Sequence, residues 1–326
     1  MHAALSVILL TTLIGVGQGL FLALYTGQVY SLAKILPPQD SAGFYAVGSL
    51  IALVFLIGGL IASLFHLGRP ERGWRSIARW RTSWLSREVL VLPATMGLVA
   101  LYGLAHWLGL TQPLFVVAGA YAVDLTLLLG ALASVATFVL FVCTAMIYAS
   151  LKFLEEWHSP LTVFNYILLG SASGYTLAAA FSAGTGVDLV GFYGVWAVTL
   201  TMAALATRGA SLVRNARLRH KSTLQSAIGV RHTRIRQIAQ GATGGSFNTR
   251  EFFHGKSPGF TRIMRATFLA LVFPVPVVLL GVAYGLSSPT LPLAAFALQY
   301  LGLLAERWYF FAEARHPQNL YYQSIA

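Results

Sequence analysis

Two residues in this chain are best suited to moving protons, His66 and Glu88. They stand at the ends of a polar interruption between two apolar runs. The 24 residues from 65 to 88 hold six arginines (Arg69, Arg72, Arg75, Arg79, Arg81 and Arg87) and two acids. An imidazole with an ordinary pKa of about 6.5 gives and takes protons near neutrality. A carboxylate at the facing helix end can carry the same proton onward. Together they suit a substrate that exchanges protons whenever it exchanges electrons, and a quinone is of that kind. The competing reading is structural: His66 bonds a local carbonyl, and Glu88 pairs with Arg87 or another arginine. Spacing alone leaves both open, although ionisable groups at membrane depth are rare and point to function. Gln18 and Tyr148 are candidates of second rank. Gln18 lies mid-run where Gly15 and Gly19 permit close helix contact, so an interhelical hydrogen bond is its plainer role. For Tyr148, near the end of the fourth run, the plainer role is an interfacial aromatic anchor.

The elements that must position these residues follow from composition. The chain is 57% hydrophobic and 10% charged, against about 25% charged in soluble domains. Its apolar runs are continuous rather than alternating, which selects membrane helices over a closed barrel. The sequence predicts an all-α, polytopic membrane bundle: a single membrane domain over 1–326 with eight spans. They fall near 4–30, 44–67, 88–108, within 114–151, 161–183, 189–207, 266–286 and 291–312. The fourth is one helix inside a 38-residue apolar run. The first reads as a retained span rather than a signal peptide, because no basic segment precedes it.

Charge orients the bundle. The connection between spans two and three and the one at 208–265 together hold 18 of the 22 basic residues. Positive loops stay cytoplasmic, which places both connections and both termini there. The net charge of +12 is then a topology signal and a docking surface for a soluble partner or for lipid headgroups, not a nucleic-acid footprint. From Pro70 to Arg81 the pattern predicts a short interfacial helix, with Arg69, Arg72, Arg75 and Arg79 on one face and Trp74, Ile77 and Ala78 on another. No histidine lies near the centre of a span, and His66 and His106 fall on opposite faces, so haem in this chain is disfavoured. The single Cys143 cannot hold an iron–sulfur cluster. Electrons must therefore come from another subunit. A transporter would concentrate polar residues at the midplane, whereas here they gather at one face. A passive anchor is the other competing role.

The strings Phe65-His66-Leu67-Gly68-Arg69-Pro70 and Arg81-Thr82-Ser83-Trp84-Leu85-Ser86-Arg87-Glu88 resemble the signature of the dimethyl sulfoxide reductase membrane-anchor family. The ending Glu306-Arg307-Trp308-Tyr309-Phe310-Phe311-Ala312-Glu313-Ala314 is similar to that family's last span. The resemblance implies an anchor in a bacterial cytoplasmic (inner) membrane. Its partners would be a molybdopterin catalytic subunit and a ferredoxin-like iron–sulfur subunit, and it would exchange electrons with ubiquinone or menaquinone. It also implies that His66 and Glu88 form the quinone site, with Arg69, Arg72 and Arg87 tuning it or holding the partner. The segments Lys221-Ser222-Thr223-Leu224-Gln225 and Phe247-Asn248-Thr249-Arg250-Glu251-Phe252-Phe253-His254-Gly255 look more like the branch serving cytoplasmic sulfite-oxidising complexes. That branch implies sulfite oxidation with quinone reduction; the dimethyl sulfoxide branch implies the reverse flow.

Overall fold

The computed structural model describes residues 5–117, 121–184, 187–219, 221, 223–235, 253 and 256–316. The glycine-rich residues 241–245 and nearly all of the 247–255 string lie outside them. Helix α1 (Leu5–Leu32) is followed by a π-helical turn, Ser41–Ala46, that runs into α2 (Val47–Leu64). A 3-10 helix, Pro70–Arg79, leads to α3 (Trp84–Trp107). Strands β1 (Pro113–Val117) and β2 (Tyr121–Asp124) precede α4 (Leu125–Ala149). Then come α5 (Pro160–Ser182), α6 (Val187–Ala216), the short α7 (Leu224–Ile228), α8 (Pro258–Val272), α9 (Pro274–Gly285) and α10 (Leu291–Glu313).

Helix α1 carries no charged residue and is the enclosed centre of the bundle, packed by α2, α4, α5 and α10. A helix apolar on every side has no face to offer water and is buried. Its partners alternate in direction, so the loops gather at two ends. At one end Trp157 Nε1 donates to Phe310 O at 2.8 Å and Arg214 Nη2 to Glu155 O at 3.0 Å. This basic end also carries residues 65–88. At the opposite end Ser41 Oγ meets His106 Nδ1 at 2.7 Å, and Gln28 Nε2 donates to Thr126 Oγ1 at 2.6 Å.

Among the described residues six helical rods are long and apolar enough to cross a membrane: α1, residues 41–64, α3, α4, α6 and the α8–α9 pair. Helices α5 and α10, each of 23 residues, are as long as a span but interrupted by buried polar groups. These include Asn165, Ser173 and Thr176 in α5 and Gln299, Glu306 and Arg307 in α10.

Four expectations are modified. The apolar run at 114–151 does hold one long helix, but its first part forms an antiparallel hairpin with Val116 opposite Ala122. There Asp124 ends the strand and caps α4 by accepting from Leu127 N at 2.9 Å. Span seven is two helices, because Pro274 and Pro276 cannot continue α8. Residues 70–79 wind as a 3-10 helix, where side chains eclipse every third residue. Trp74, Ile77 and Trp80 therefore share a face, Arg72 and Arg75 line another, and Arg79 leaves the arginine stripe. Finally, α6 continues through residue 216, so the basic connection begins inside a helix, with Arg208 only 1% exposed.

The α1–α5 crossing is backbone on backbone. A Cβ at Gly174 would run into the main chain of Gly19 and Leu20, and one at Gly19 into that of Gly170. Small residues of this kind let membrane helices approach closely. Gly174→Ala should cost at least ~1–3 kcal/mol and lower the thermal midpoint of the detergent-solubilised protein. Gly97→Ala, where a Cβ meets nothing within 4 Å, should leave that midpoint unchanged.

Candidate functional site at the basic end

The residues singled out by sequence divide into a surface group and a buried group. His66 sits two residues past the end of α2, at the surface, beside exposed Phe65 (80% exposed) and Leu67. Partial desolvation holds its imidazole below the ordinary 6.5, so it is neutral at pH 7. Arg69 is exposed. Arg72 makes only a loose surface pair with Glu71, Nε to Oε1 at 3.8 Å. Such pairs contribute ~0–1 kcal/mol, so the arginine stays available to a partner or a headgroup.

Arg87 has a different task. Its Nε donates to Trp80 O at 3.0 Å, its Nη2 to Arg81 O at 2.9 Å, and its guanidinium lies 4.1 Å from the Trp84 ring centroid. It fastens the end of the 3-10 segment onto the start of α3, where Ser83 caps the helix through Ser86 N. The alternative in which Arg87 neutralises Glu88 is not what forms.

Glu88 lies one turn into α3 and is 5% exposed. Its partner is on α4: Thr144 Oγ1 donates to Glu88 Oε1 at 2.5 Å. His66 and Glu88 share the same end of the α2–α3 pair, but no hydrogen bond joins them. The helix ends place both at the basic end of the bundle, with the 3-10 segment between them in the chain.

Gln18 is 2% exposed and donates from Nε2 to Thr137 O at 3.0 Å. It also lines a cavity of about 20 Å³ enclosed by α1, α4, α5 and α10, together with Thr144, Tyr166, Ser173 and Arg307. Gly15 and Gly170 form part of that wall. Tyr148, one turn past Thr144, stacks on Tyr166 with ring centroids 5.8 Å apart and meets Phe311 at 5.1 Å. Its surroundings are an aromatic cluster inside the basic end rather than the expected interfacial belt. The buried group is thus Glu88, Thr144 and Gln18, with Tyr148 behind Tyr166.

The full-length comparisons bear directly on this arrangement. The sequence pattern of the family described as DMSO reductase anchor subunit (DmsC) matches residues 1–311. The chain belongs to that anchor family. It is also 64% identical over 326 residues, across the whole of both chains, to a subunit of the sulfite dehydrogenase of Allochromatium vinosum. This anchor is therefore a multi-pass helical membrane protein.

Sequence reasoning missed the anchor's most enclosed charges. Arg208 Nε lies 2.8 Å from Glu306 Oε1, and Glu306 Oε2 lies 2.8 Å from Arg307 Nε. All three are at most 4% exposed. The adjacent Glu306 and Arg307 inside an apolar helix were the available signal, since such charges persist only when paired. His66 titration is directly measurable. Nitrogen NMR of ring-labelled histidine should show a resonance, absent in His66→Gln, that protonates only below pH 6.5. Titration at or above 6.5 would contradict the desolvated setting.

Proposed function

We propose that this anchor is the quinone-reactive membrane subunit of a molybdopterin/iron–sulfur oxidoreductase, oxidising sulfite and reducing quinone. A ferredoxin-like iron–sulfur subunit would dock on the basic end and deliver electrons from the molybdopterin subunit. The likeness to a sulfite dehydrogenase subunit favours this direction over quinol oxidation. The chain forms one membrane domain crossing the bacterial inner membrane eight times, with α5 and α10 as the two more polar spans. Both termini lie in the cytoplasm, because residues 65–88 and 208–265 carry most of the positive charge.

The observation that carries the reading is the division of labour at the basic end. A partly desolvated imidazole lies at the surface among exposed Phe65, Leu67, Trp74 and Trp80, and a buried carboxyl group with no cation partner among the described residues lies at the start of α3. The apolar rim suits a lipid-soluble ring. The interior cavity of about 20 Å³ is too small for one, so the quinone is placed outside it, near the end of α2 and the 3-10 segment. A quinone takes up two protons with two electrons. His66 hydrogen-bonds a quinone oxygen, and Glu88 supplies protons from the interior. Arg69 and Arg72 hold the docked partner close, and Arg87 positions Glu88 by fixing the start of α3.

His66→Ala and Glu88→Gln should each lower quinone-coupled sulfite turnover by about 10²-fold or more, the scale of removing a general acid–base group. Turnover with a soluble electron acceptor should stay at the wild-type rate. Normal quinone kinetics in both variants would make this chain a passive anchor.

A further inference from the structure

A charged network runs inward from Glu88 to the ends of α6 and α10, and the reactions above leave it without a role. Thr144 is its hinge. The hydroxyl that donates to Glu88 belongs to a side chain that also lines the cavity. At about 20 Å³ the cavity exceeds the roughly 10–15 Å³ that one water needs. Polar groups converge on it. Arg307 is 4% exposed and Tyr166 6% exposed. Arg307 and the Tyr166 hydroxyl interact with each other, but Arg307 Nη1 and that hydroxyl lack a well-aligned hydrogen-bond partner among the described residues. Two such groups beside a water-sized space are what a bridging water satisfies.

Arg307 connects the cavity to the surface. Its Nε holds Glu306, and Glu306 holds Arg208. Arg208 Nη1 then reaches Glu313 Oε2 at 3.8 Å. The Glu313 side chain is 13% exposed, at the last residue of α10. Nearby, Glu156 accepts from Arg315 N at 3.2 Å. Arginine does not give up its proton in a protein, so a proton moving along this network is carried by its carboxyl groups.

Building on the quinone reading, we propose that Glu313, Glu306, the cavity and Thr144 form the proton route that reloads Glu88 from the cytoplasmic end of the bundle. When Glu88 passes its proton to the reduced ring, Thr144 Oγ donates its proton to the carboxylate and takes another from water in the cavity. That water is resupplied from the surface through the carboxyl groups of Glu306 and Glu313, which Arg208 and Arg307 hold in line. Two such deliveries match the two electrons from the docked iron–sulfur subunit.

The test uses the assembled complex in membranes. Thr144→Val keeps the side-chain shape and removes the hydroxyl; Thr144→Ser keeps the hydroxyl. Thr144→Val should slow quinone-coupled turnover about tenfold or more, short of the loss on removing the acid itself. Thr144→Ser should run near the wild-type rate. Millimolar azide or formate, small weak acids that carry protons past a broken relay, should restore much of the Thr144→Val rate. Glu313→Gln, at the partly exposed end, should slow turnover in the same rescuable way. Soluble-acceptor turnover should be unchanged throughout. The route is wrong if Thr144→Val and Glu313→Gln match wild type while Glu88→Gln is inactive. It is also wrong if the loss in Thr144→Val ignores weak acid, since that marks a purely structural hydroxyl. If Glu88→Gln itself retains quinone turnover, the failure belongs to the quinone reading beneath.

Discussion

The ion pair between Arg208 and Glu306, 2.8 Å long and closed to solvent, decides how the basic end is built. It ties α6 to α10 across a region where neither charge has water to fall back on. Removing one member of such a pair leaves the other uncompensated, at about 3–5 kcal/mol. With α10 held there, Glu306 can face Arg208 on one side and Arg307 on the other. Arg307 is thereby laid over Tyr166, its guanidinium 4.1 Å from the ring centroid. That placement forms one wall of the cavity and keeps the aromatic cluster of Tyr148, Trp157, Phe310 and Phe311 together. Trp157 closes the cluster by donating to Phe310 O.

The opposite end is organised by different means. His106 is 2% exposed, stacks on Tyr45 and meets Tyr102 edge-on, each with ring centroids 4.6 Å apart. Tyr102 donates to Gln28 Oε1 at 2.9 Å, Gln28 to Thr126 and Thr126 to Asp124 Oδ1 at 2.7 Å. This chain consists mostly of uncharged groups satisfied one by one, and it sets the register of α1, α3 and α4. The basic end carries paired charge and an enclosed space instead. One end thus has paired charges beside a small cavity, while the other has a fixed hydrogen-bond ladder. Helix α1 bridges them through Gln18 and Gln28 without a charge of its own.

Much of this was legible in the residues themselves. The long apolar runs, the glycines at 15 and 19 and the arginine-rich interruption at 65–88 each have a direct physical reading, and each appears where expected. Less legible were features that depend on winding or on a distant partner. The 3-10 winding of residues 70–79 moves Arg79 off the arginine stripe. The hairpin at 113–124 arises because β-branched and aromatic residues precede a capping Asp124 inside one apolar run. Arg208 reads in sequence as the first of twelve basic residues in a loop, and it becomes one of the most enclosed charges among the described residues.

Composition and charge distribution alone determined the class of protein and the end of the bundle that carries the charge. These depend on the sum over many residues and on the one solvent that can hide so much apolar surface. Only the tertiary structure decided whom each buried polar group meets. Glu88 faces Thr144 rather than Arg87, Gln18 faces Thr137 and Arg208 faces Glu306. Those pairings join residues 56 to 119 positions apart. A polar side chain in an apolar interior must find some partner, but its own sequence neighbourhood does not specify which helix will supply it.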